Sequence, residues 1–328
     1  MIDDVHSDDF PDAAGLQDRV LGGLYGLLIG DALGVPFEFR GPEELPPLGE
    51  IDVVPPAGFR RAHPGAPVGA WSDDGAHALC LLASLLHCDG LDLEDLARRL
   101  LDWRQRGYMA VEGLVFDVGI QTSAALDALR AGVAPEEAGP AEERSNGNGS
   151  LMRVLPLALW HRGSDEELIR AAMRQSLITH GHLRSQLSCA LYCLWARALL
   201  RQLEEPWRVA VASLRRFAAA DPLVSEELER HVRPDEPPQG SGTGYVVDCL
   251  HSARWAMQGS SFAEVVRRAI ALGNDTDTTA AVAGGVAGIR FGFSQIPPHW
   301  VEHLAEKETV EPLASALVDS QSVSCSVW

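Results

Sequence analysis

Two short acidic runs, far apart in the chain, carry the residue types best suited to chemistry. One is the Asp-x-Asp-Thr run at 275–278 and the other is the Ser-Asp-Asp run at 72–74. Carboxylate and hydroxyl oxygens are the hard ligands that Mg²⁺ and Mn²⁺ prefer. Each run also precedes a helical pattern, where Ser, Thr and Asp are common caps favoured by the helix dipole. If the fold brings both runs together, four carboxylates converge, and such buried charge is tolerated only when cations neutralise it.

A glycine-containing loop and several single polar residues are further candidates for ligand contacts. The segment SNGNGSLMR at 145–153 opens a helical pattern, and small residues there can expose backbone N–H groups to a phosphate, although such segments are also common turns. His180 and His182 precede a long apolar helix, which is typical of a capping residue and also suits hydrogen bonds to a ligand. Taken alone, Glu38 is interpreted as a surface carboxylate, and Asp117 is interpreted as a polar residue at a helix start.

The elements that must position these residues are predicted to be helices. Residues 16–30 have apolar side chains at helical spacing, and glycines at 22, 23, 26 and 30 would let a neighbouring backbone approach closely. The Pro- and Gly-rich stretch from 34 to 70 has no clear period, and we expect an ordered loop of this length to cover a site. Ser72 is predicted to cap the helix that follows it, and an Ala- and Gly-rich helix follows the acidic loop within 273–292. Other helical patterns lie at 92–106, 115–131, 150–161, 165–178, 183–203, 205–219, 243–257 and 262–272. No alternating strand pattern is convincing, so the predicted class is all-α.

Composition and charge narrow the classes of protein and partner. The 328 residues are 46% hydrophobic but only 6% aromatic, which favours helices packed closely through small side chains. The formal net charge of -19 opposes binding to nucleic acid or to anionic lipid through a broad basic face. We therefore expect neither nucleic acid nor a membrane as a partner.

The cysteines and the chain termini bear on the compartment and on the domain organisation. The 6 cysteines lie mostly in apolar helical runs without Cys-x-x-Cys spacing, which indicates reduced core residues and a cytoplasmic protein. The acidic N-terminus lacks the basic and apolar stretches of a secretory signal, and no later segment reaches membrane-spanning length without interruption. We predict a mobile acidic arm at 1–15, a single domain at 16–320 and a C-terminal tail at 321–328.

Short motifs follow one another in order along most of the chain. They are GDALGVPFEF at 30–39, WSDDGAHAL at 71–79, FDVGIQT at 116–122, GNGSLMR at 147–153, TH at 179–180, GYVVDCLHSARWA at 244–256 and GNDTDTTAAVAGGVAG at 273–288. Together these motifs resemble the ADP-ribosylglycohydrolase family. The resemblance implies a compact, mostly orthogonal all-α bundle.

The resemblance also implies a binuclear metal site. Two Mg²⁺ or Mn²⁺ ions are expected to be shared by six ligand residues, namely Ser72, Asp73, Asp74, Asp275, Asp277 and Thr278. Family members usually carry Thr at the positions of Ser72 and Gly75. The change to Ser72 keeps the ligand oxygen, whereas Gly75 removes a hydroxyl beside the site.

Further roles follow from the same resemblance. The expected substrate-binding residues are Asn146, Gly147, Asn148, Gly149 and Ser150, which match the segment that cradles the diphosphate, and His180 near the ligand. Glu38 matches a glutamate that approaches the metal site or a mobile flap over it. Asp117 matches an acidic position that faces the scissile side in some members and could stabilise the leaving group. Asp74, Asp277 and Glu38 are the candidates to orient or deprotonate the attacking water, and the sequence does not choose among them.

The expected reaction is metal-dependent hydrolysis of the N-glycosidic bond between ADP-ribose and a protein side chain, with arginine as the expected acceptor. One alternative moves the linkage to serine or to a nucleic-acid base. Another is an immunity protein that neutralises an ADP-ribosylating toxin, by binding it through the arm at 1–15 or by reversing its modification. A structural role, as in the family's lens-protein relatives, would require degraded ligands, whereas all six ligand positions here keep an oxygen donor.

Overall fold

The computed structural model describes residues 13–322, and in that part of the chain the regular elements are helices. They are α1 (Ala13–Gly34), α2 (Asp73–Cys88), α3 (Leu93–Arg106), α4 (Ile120–Arg130), α5 (Pro135–Ala138), α6 (Leu155–Trp160), α7 (Asp165–Leu177), α8 (Leu183–Leu200), α9 (Pro206–Ala218), α10 (Pro222–Glu227), α11 (Val246–Ala256), α12 (Phe262–Ile270), α13 (Thr276–Phe291), α14 (Pro298–His303) and α15 (Lys307–Ser322). Short 3₁₀ turns and one π-helical turn lie between them. The described residues form no β-strand, so the predicted all-α class is confirmed.

The most extensive helix contact within residues 13–322 joins α1 to α13, and it depends on glycine. Positions 22, 26, 30 and 34 face the α13 backbone at four-residue intervals. A Cβ atom at Gly26 would lie 2.3 Å from the carbonyl oxygen of Gly284, and one at Gly30 would lie 2.1 Å from that of Ala280. Any larger residue would overlap backbone atoms, so the glycines set the separation of the two helices. The predicted close backbone approach is confirmed at 22, 26 and 30, whereas Gly23 faces side chains.

α1 and α8 lie in the core of the protein. Almost every residue of α8 is buried, and it packs against α6, α7, α9, α11 and α13. The segment Ala13–Phe37 is long and apolar enough to cross a membrane by length and composition alone, but 94% of its apolar window is buried inside the protein. That burial is typical of a core helix.

The helices begin and end at residues that differ in places from the predicted bounds. α1 begins at Ala13, within the stretch 1–15 predicted as an arm, and the rest of that stretch lies outside the described residues. Likewise, α15 includes 321–322, and the remainder of the predicted tail is outside the described range. The helix predicted at 115–131 begins only at Ile120, because Asp117 has a positive φ of 53°. The helix predicted at 150–161 begins at Leu155, where Pro156 suits the first turn.

The cysteines of the described residues are free thiols. Four are buried in the helical core and Cys88 is partly buried, which confirms the prediction that the cysteines are mostly core residues. Cys325 lies outside the described residues.

Candidate functional site

A cavity of about 230 Å³ opens where the N-terminal ends of α2 and α13 meet. Its lining residues are Glu38, Asp73, Asp74, Asp117, Gly119, Gln121, Thr122, Gly147, Asn148, Gly149, Met152, His180, Gly244, Asp275 and Thr278. Asp74 and Thr278 are 204 residues apart in the sequence, yet the Thr278 hydroxyl donates a hydrogen bond to the Asp74 carboxylate over 3.3 Å. The two acidic runs therefore meet at one cavity.

The N-terminal end of α2 is held by α1. Ser72 caps the helix as predicted, with its Oγ accepting from the Asp74 N–H at 3.3 Å. Asp31 of α1 accepts backbone hydrogen bonds from Ser72 at 2.9 Å and from Gly75 at 2.7 Å. These bonds fix the first turn of α2, whose Asp73 and Asp74 line the cavity. Ser72 is buried, and among the described residues it is not part of the cavity lining.

The N-terminal end of α13 brings the second acidic run to the same place. The Asn148 amide donates to the Asp275 carboxylate at 2.9 Å, which ties this run to the glycine-containing loop. Asp277 packs directly on α1, since a Cβ atom at Gly34 would lie only 2.3 Å from the Asp277 Cα. The glycine face of α1 thus sets how deeply the second run is buried.

Burial, together with the closeness of these carboxylates to one another, raises their pKa values. For Asp73, Asp74 and Asp277, burial is the largest cause and neighbouring carboxylates add to it. Among the described residues, Oδ2 of Asp74 and Oδ2 of Asp277 are buried and have no hydrogen-bond partner. Ligand atoms of Glu38, Asp275 and Asp277 also lie within 4.8 Å of one another. Unpartnered carboxylate oxygens at such spacing fit a divalent cation, whose charge would offset theirs.

Glu38, His63 and Asp117 form a second group, whose ligand atoms lie within 4.8 Å of one another. Burial, followed by the charge of Asp117, raises the pKa of Glu38 to about 10, and burial lowers that of His63. Glu38 Oε2 lies 2.5 Å from His63 Nε2, so a neutral carboxyl can donate its proton to the imidazole. Burial, followed by the charge of Asp275, raises the pKa of Asp117 to about 6. Through His63, the loop expected to cover a site contacts the cavity wall.

The loop at 146–150 contains both cavity-facing and supporting residues. Its three central residues, Gly147, Asn148 and Gly149, line the cavity together with His180. The Asn146 side chain instead accepts a hydrogen bond from Ser185 at 3.1 Å, and the Ser150 hydroxyl accepts from Ser176 at 2.8 Å. Asn146 and Ser150 therefore hydrogen-bond to supporting helices and are not among the described lining residues, and their role in binding a ligand stays a prediction.

The two histidines before α8 have different roles. His182 caps the helix by accepting from the Arg184 N–H at 3.1 Å, which is the capping role that the sequence predicted as one of two alternatives. His180 is buried and lines the cavity instead.

Asp31 and His63 were not identified from the sequence. Asp31 is the only charged residue between Val20 and Phe37, and a lone carboxylate in such an apolar helix indicates a buried hydrogen-bonding role. Burial raises its pKa to about 7. His63 lies in an aperiodic Pro- and Gly-rich stretch, which gives no signal of its own.

Comparisons with known proteins point in one direction. A profile of the ADP-ribosylglycohydrolase family matches residues 12–326. The chain is 34% identical over 308 residues to ADP-ribosylarginine hydrolase Tri1 of Pseudomonas putida, a match that covers 92% of this chain and 78% of the relative. It is 28% identical over 305 residues to the ADP-ribosyl-(dinitrogen reductase) glycohydrolase of Rhodospirillum rubrum, covering 89% of this chain and 92% of the relative. A solved structure described as an ADP-ribosylglycohydrolase-related protein complex is similar with a TM-score of 0.72 and 33% identity, over 94% of this chain and 99% of that one.

Proposed function

The chain belongs to the ADP-ribosylglycohydrolase family, and we propose that it hydrolyses the N-glycosidic bond between ADP-ribose and an arginine side chain of a modified protein. The observation that carries this proposal is the meeting of two acidic runs and a glycine loop at one cavity. The name of the Pseudomonas putida relative supports arginine as the acceptor. We place the reaction in the cytoplasm, where free thiols like those of the described residues stay reduced.

Two Mg²⁺ or Mn²⁺ ions are proposed to be held by the six oxygen-donor residues of the acidic runs, which are Ser72, Asp73, Asp74, Asp275, Asp277 and Thr278. Asp74 and Asp277 support this most strongly, because each has a buried carboxylate oxygen without a partner among the described residues. Glu38 lies close enough to Asp275 and Asp277 to join them. When bound, such ions polarise the ribose hydroxyls and lower the pKa of a water molecule.

The acidic residues of the cavity are proposed to have different roles in bond cleavage. Of the three candidates for handling the water, Asp74 and Glu38 line the cavity, and Asp277 is not among the described lining residues. We assign the water to Asp74 and a positioning hydrogen bond to Glu38. Asp117 lines the same cavity, and with a pKa of about 6 it is mostly ionised at pH 7. In that form it can pair with the departing guanidinium, while the electron-rich cavity stabilises positive charge that develops on the ribose.

The diphosphate is assigned to the part of the cavity lining formed by Gly147, Asn148, Gly149 and His180. Both glycines leave little room for a side chain, since a Cβ at Gly147 would lie 2.4 Å from the flexible end of Gln121 and one at Gly149 would lie 2.8 Å from the His180 ring. The loop therefore presents bare backbone to a ligand, as phosphate-binding loops do.

The test is to incubate the purified protein with an arginine-ADP-ribosylated protein, with Mg²⁺ or Mn²⁺ or with chelator, and to follow free ADP-ribose. We expect release that requires the metal and is lost in Asp74→Asn. A matched control is Glu43→Gln, an exposed acidic position outside the cavity, which should keep full activity. Release only from a serine-linked or base-linked substrate would reassign the acceptor, and no release from any substrate with metal bound would overturn the hydrolase proposal.

A further inference from the structure

The two ring nitrogens of His180 have different surroundings. The residue is only 2% exposed, and its Nδ1 lies 2.9 Å from the Thr179 hydroxyl oxygen. Its Nε2 has no hydrogen-bond partner among the described residues and borders the glycine loop, where a Cβ atom at Gly147 would lie 3.3 Å away. One nitrogen is thus held by the protein, and the other is left at the cavity.

Arg153 settles the direction of the bond between Thr179 and His180. Its Nη1 donates to the Thr179 hydroxyl oxygen at 2.7 Å, and a guanidinium can only donate. Thr179 is fully buried, and its hydroxyl has no third partner in the described part of the chain. If His180 also donated, the hydroxyl hydrogen would be buried without an acceptor, which costs free energy. Thr179 therefore donates to His180 Nδ1.

The protonation of the ring follows from this direction. Burial, followed by the charge of Arg153, lowers the pKa of His180 to about 3, so the imidazole is neutral at pH 7. A neutral imidazole carries one proton, and with Nδ1 accepting, that proton is on Nε2. The cavity wall therefore presents an N–H donor at this point rather than a lone pair.

Arg153 is itself fixed in place. It is fully buried, and it donates to the side chain and the carbonyl of Gln175 at 2.9 and 2.8 Å and to the carbonyl of Gly149 at 3.2 Å. The same guanidinium thus holds the glycine loop and, through Thr179, the histidine beside it. Arg153 thus links the loop to the histidine ring.

We infer that Arg153 and Thr179 are positioning residues that fix His180 as the tautomer protonated on Nε2, so that its N–H donates to a phosphate oxygen of the ligand. The identity of the ligand rests on the proposed function, whereas the tautomer does not. The opposite tautomer would direct a lone pair at an anionic oxygen. The relay of hydrogen bonds from Arg153 through Thr179 to His180 therefore favours binding of the diphosphate.

The tautomer can be measured without any ligand. In protein labelled with ¹⁵N-histidine, the His180 signals are those that vanish in His180→Ala, and correlation spectra report which nitrogen carries the proton. We expect a proton on Nε2 and none on Nδ1 in the wild type and in Thr179→Ser. Thr179→Val keeps the side-chain volume but removes the hydroxyl, and it should lose the single tautomer. A wild-type ring protonated on Nδ1 would overturn the inference.

The consequence for binding is tested with ADP-ribose in the presence of Mg²⁺ by calorimetry. Thr179→Val should weaken binding about tenfold, the scale expected for a hydrogen bond to a charged group, and Thr179→Ser should not. In a His180→Ala background the same Thr179→Val change should have no further effect, because the threonine acts through the histidine. An equal loss in both backgrounds would show a structural role and overturn the relay. The predicted tautomer without any ADP-ribose binding would instead overturn the assignment of the ligand, and with it the proposed function.

Discussion

Glu38 keeps a proton in the folded protein that the unfolded chain would release, and this difference predicts a pH-dependent stability. Its pKa is raised from 4.5 to about 10 by burial and by the charges of Asp117, Asp275, Asp73 and Asp31. A carboxyl with a raised pKa contributes its full stability below its unfolded pKa and loses it as the pH rises toward the folded value. The loss is therefore expected between pH 4.5 and about pH 10 in the metal-free protein.

The size of the effect follows from these values. Each pH unit above 4.5 costs about 1.4 kcal/mol, so holding the proton at pH 7 costs about 3 kcal/mol. Glu38→Gln is nearly isosteric with the protonated carboxyl and can still donate to His63, but it has no proton to lose. Residue 38 is uncharged in both folded proteins, so the charge next to the surrounding acids is the same. From pH 4.5 to pH 7, the free energy of unfolding of the variant should therefore rise by about 3 kcal/mol relative to that of the wild type.

The assay is urea unfolding followed by circular dichroism from pH 5 to pH 8 in the presence of chelator. The difference in the free energy of unfolding between Glu38→Gln and the wild type should grow by about 1.4 kcal/mol per pH unit. The exposed Glu43→Gln serves as the control, with a difference that stays constant across the range. A constant difference for Glu38→Gln as well would refute the reasoning, because it would show that Glu38 is ionised in the folded protein.

Further outcomes are expected at other places in the molecule. Magnesium at about 100 times its dissociation constant should stabilise the wild type by ~2.7 kcal/mol, and the Asp73→Ala, Asp277→Ala double variant should show no such gain in a thermal melt. Gly26→Ala should cost on the order of 1–3 kcal/mol in urea unfolding because its Cβ would meet the α13 backbone, whereas Gly49→Ala, with open space around it, should change little. Removing residues 1–11 should leave ADP-ribose release unchanged, since the family match begins at residue 12. If an ADP-ribosyltransferase toxin binds the acidic arm, the same truncation should weaken that complex in a pull-down, and unchanged binding would exclude the arm as its contact.

The sequence predicted the parts of the fold that depend on local chemistry. The glycine spacing of α1 predicted a close backbone approach, and Ser72 was recognised as a helix cap, because the residues that carry each signal lie within one short stretch of sequence. The helix predicted at 115–131 started too early, because the apolar residues before Ile120 pack in an extended segment that carries Asp117 to the cavity. The positive φ at Asp117 interrupts the helix there, and hydrophobic periodicity carries no signal of it.

The candidate site was predictable in its residue types but less so in its orientation. The two acidic runs could be paired only through their resemblance to a family, since nothing local relates residues 72–74 to 275–278. For the glycine loop, the sequence could not tell which side chains turn inward. Asn146 and Ser150 have the same polar character as Asn148, yet their hydrogen bonds to Ser185 and Ser176 direct them to the supporting helices.

The two acidic runs owe their positions to a single helix, α1. On one face, its glycines let α13 approach until Asp277 contacts Gly34, and on another, Asp31 binds the backbone of Ser72 and Gly75. Gly75, where the resemblance implied Thr, lies in the same tight packing: a Cβ atom there would lie 2.7 Å from the Trp71 side chain and 2.9 Å from that of Leu28. Its lack of a side chain is thus explained by the tight contact between α1 and α2. Because α1 contacts both helices that carry the acids, its packing sets the distance between the carboxylates and hence the geometry available to any ion that they bind.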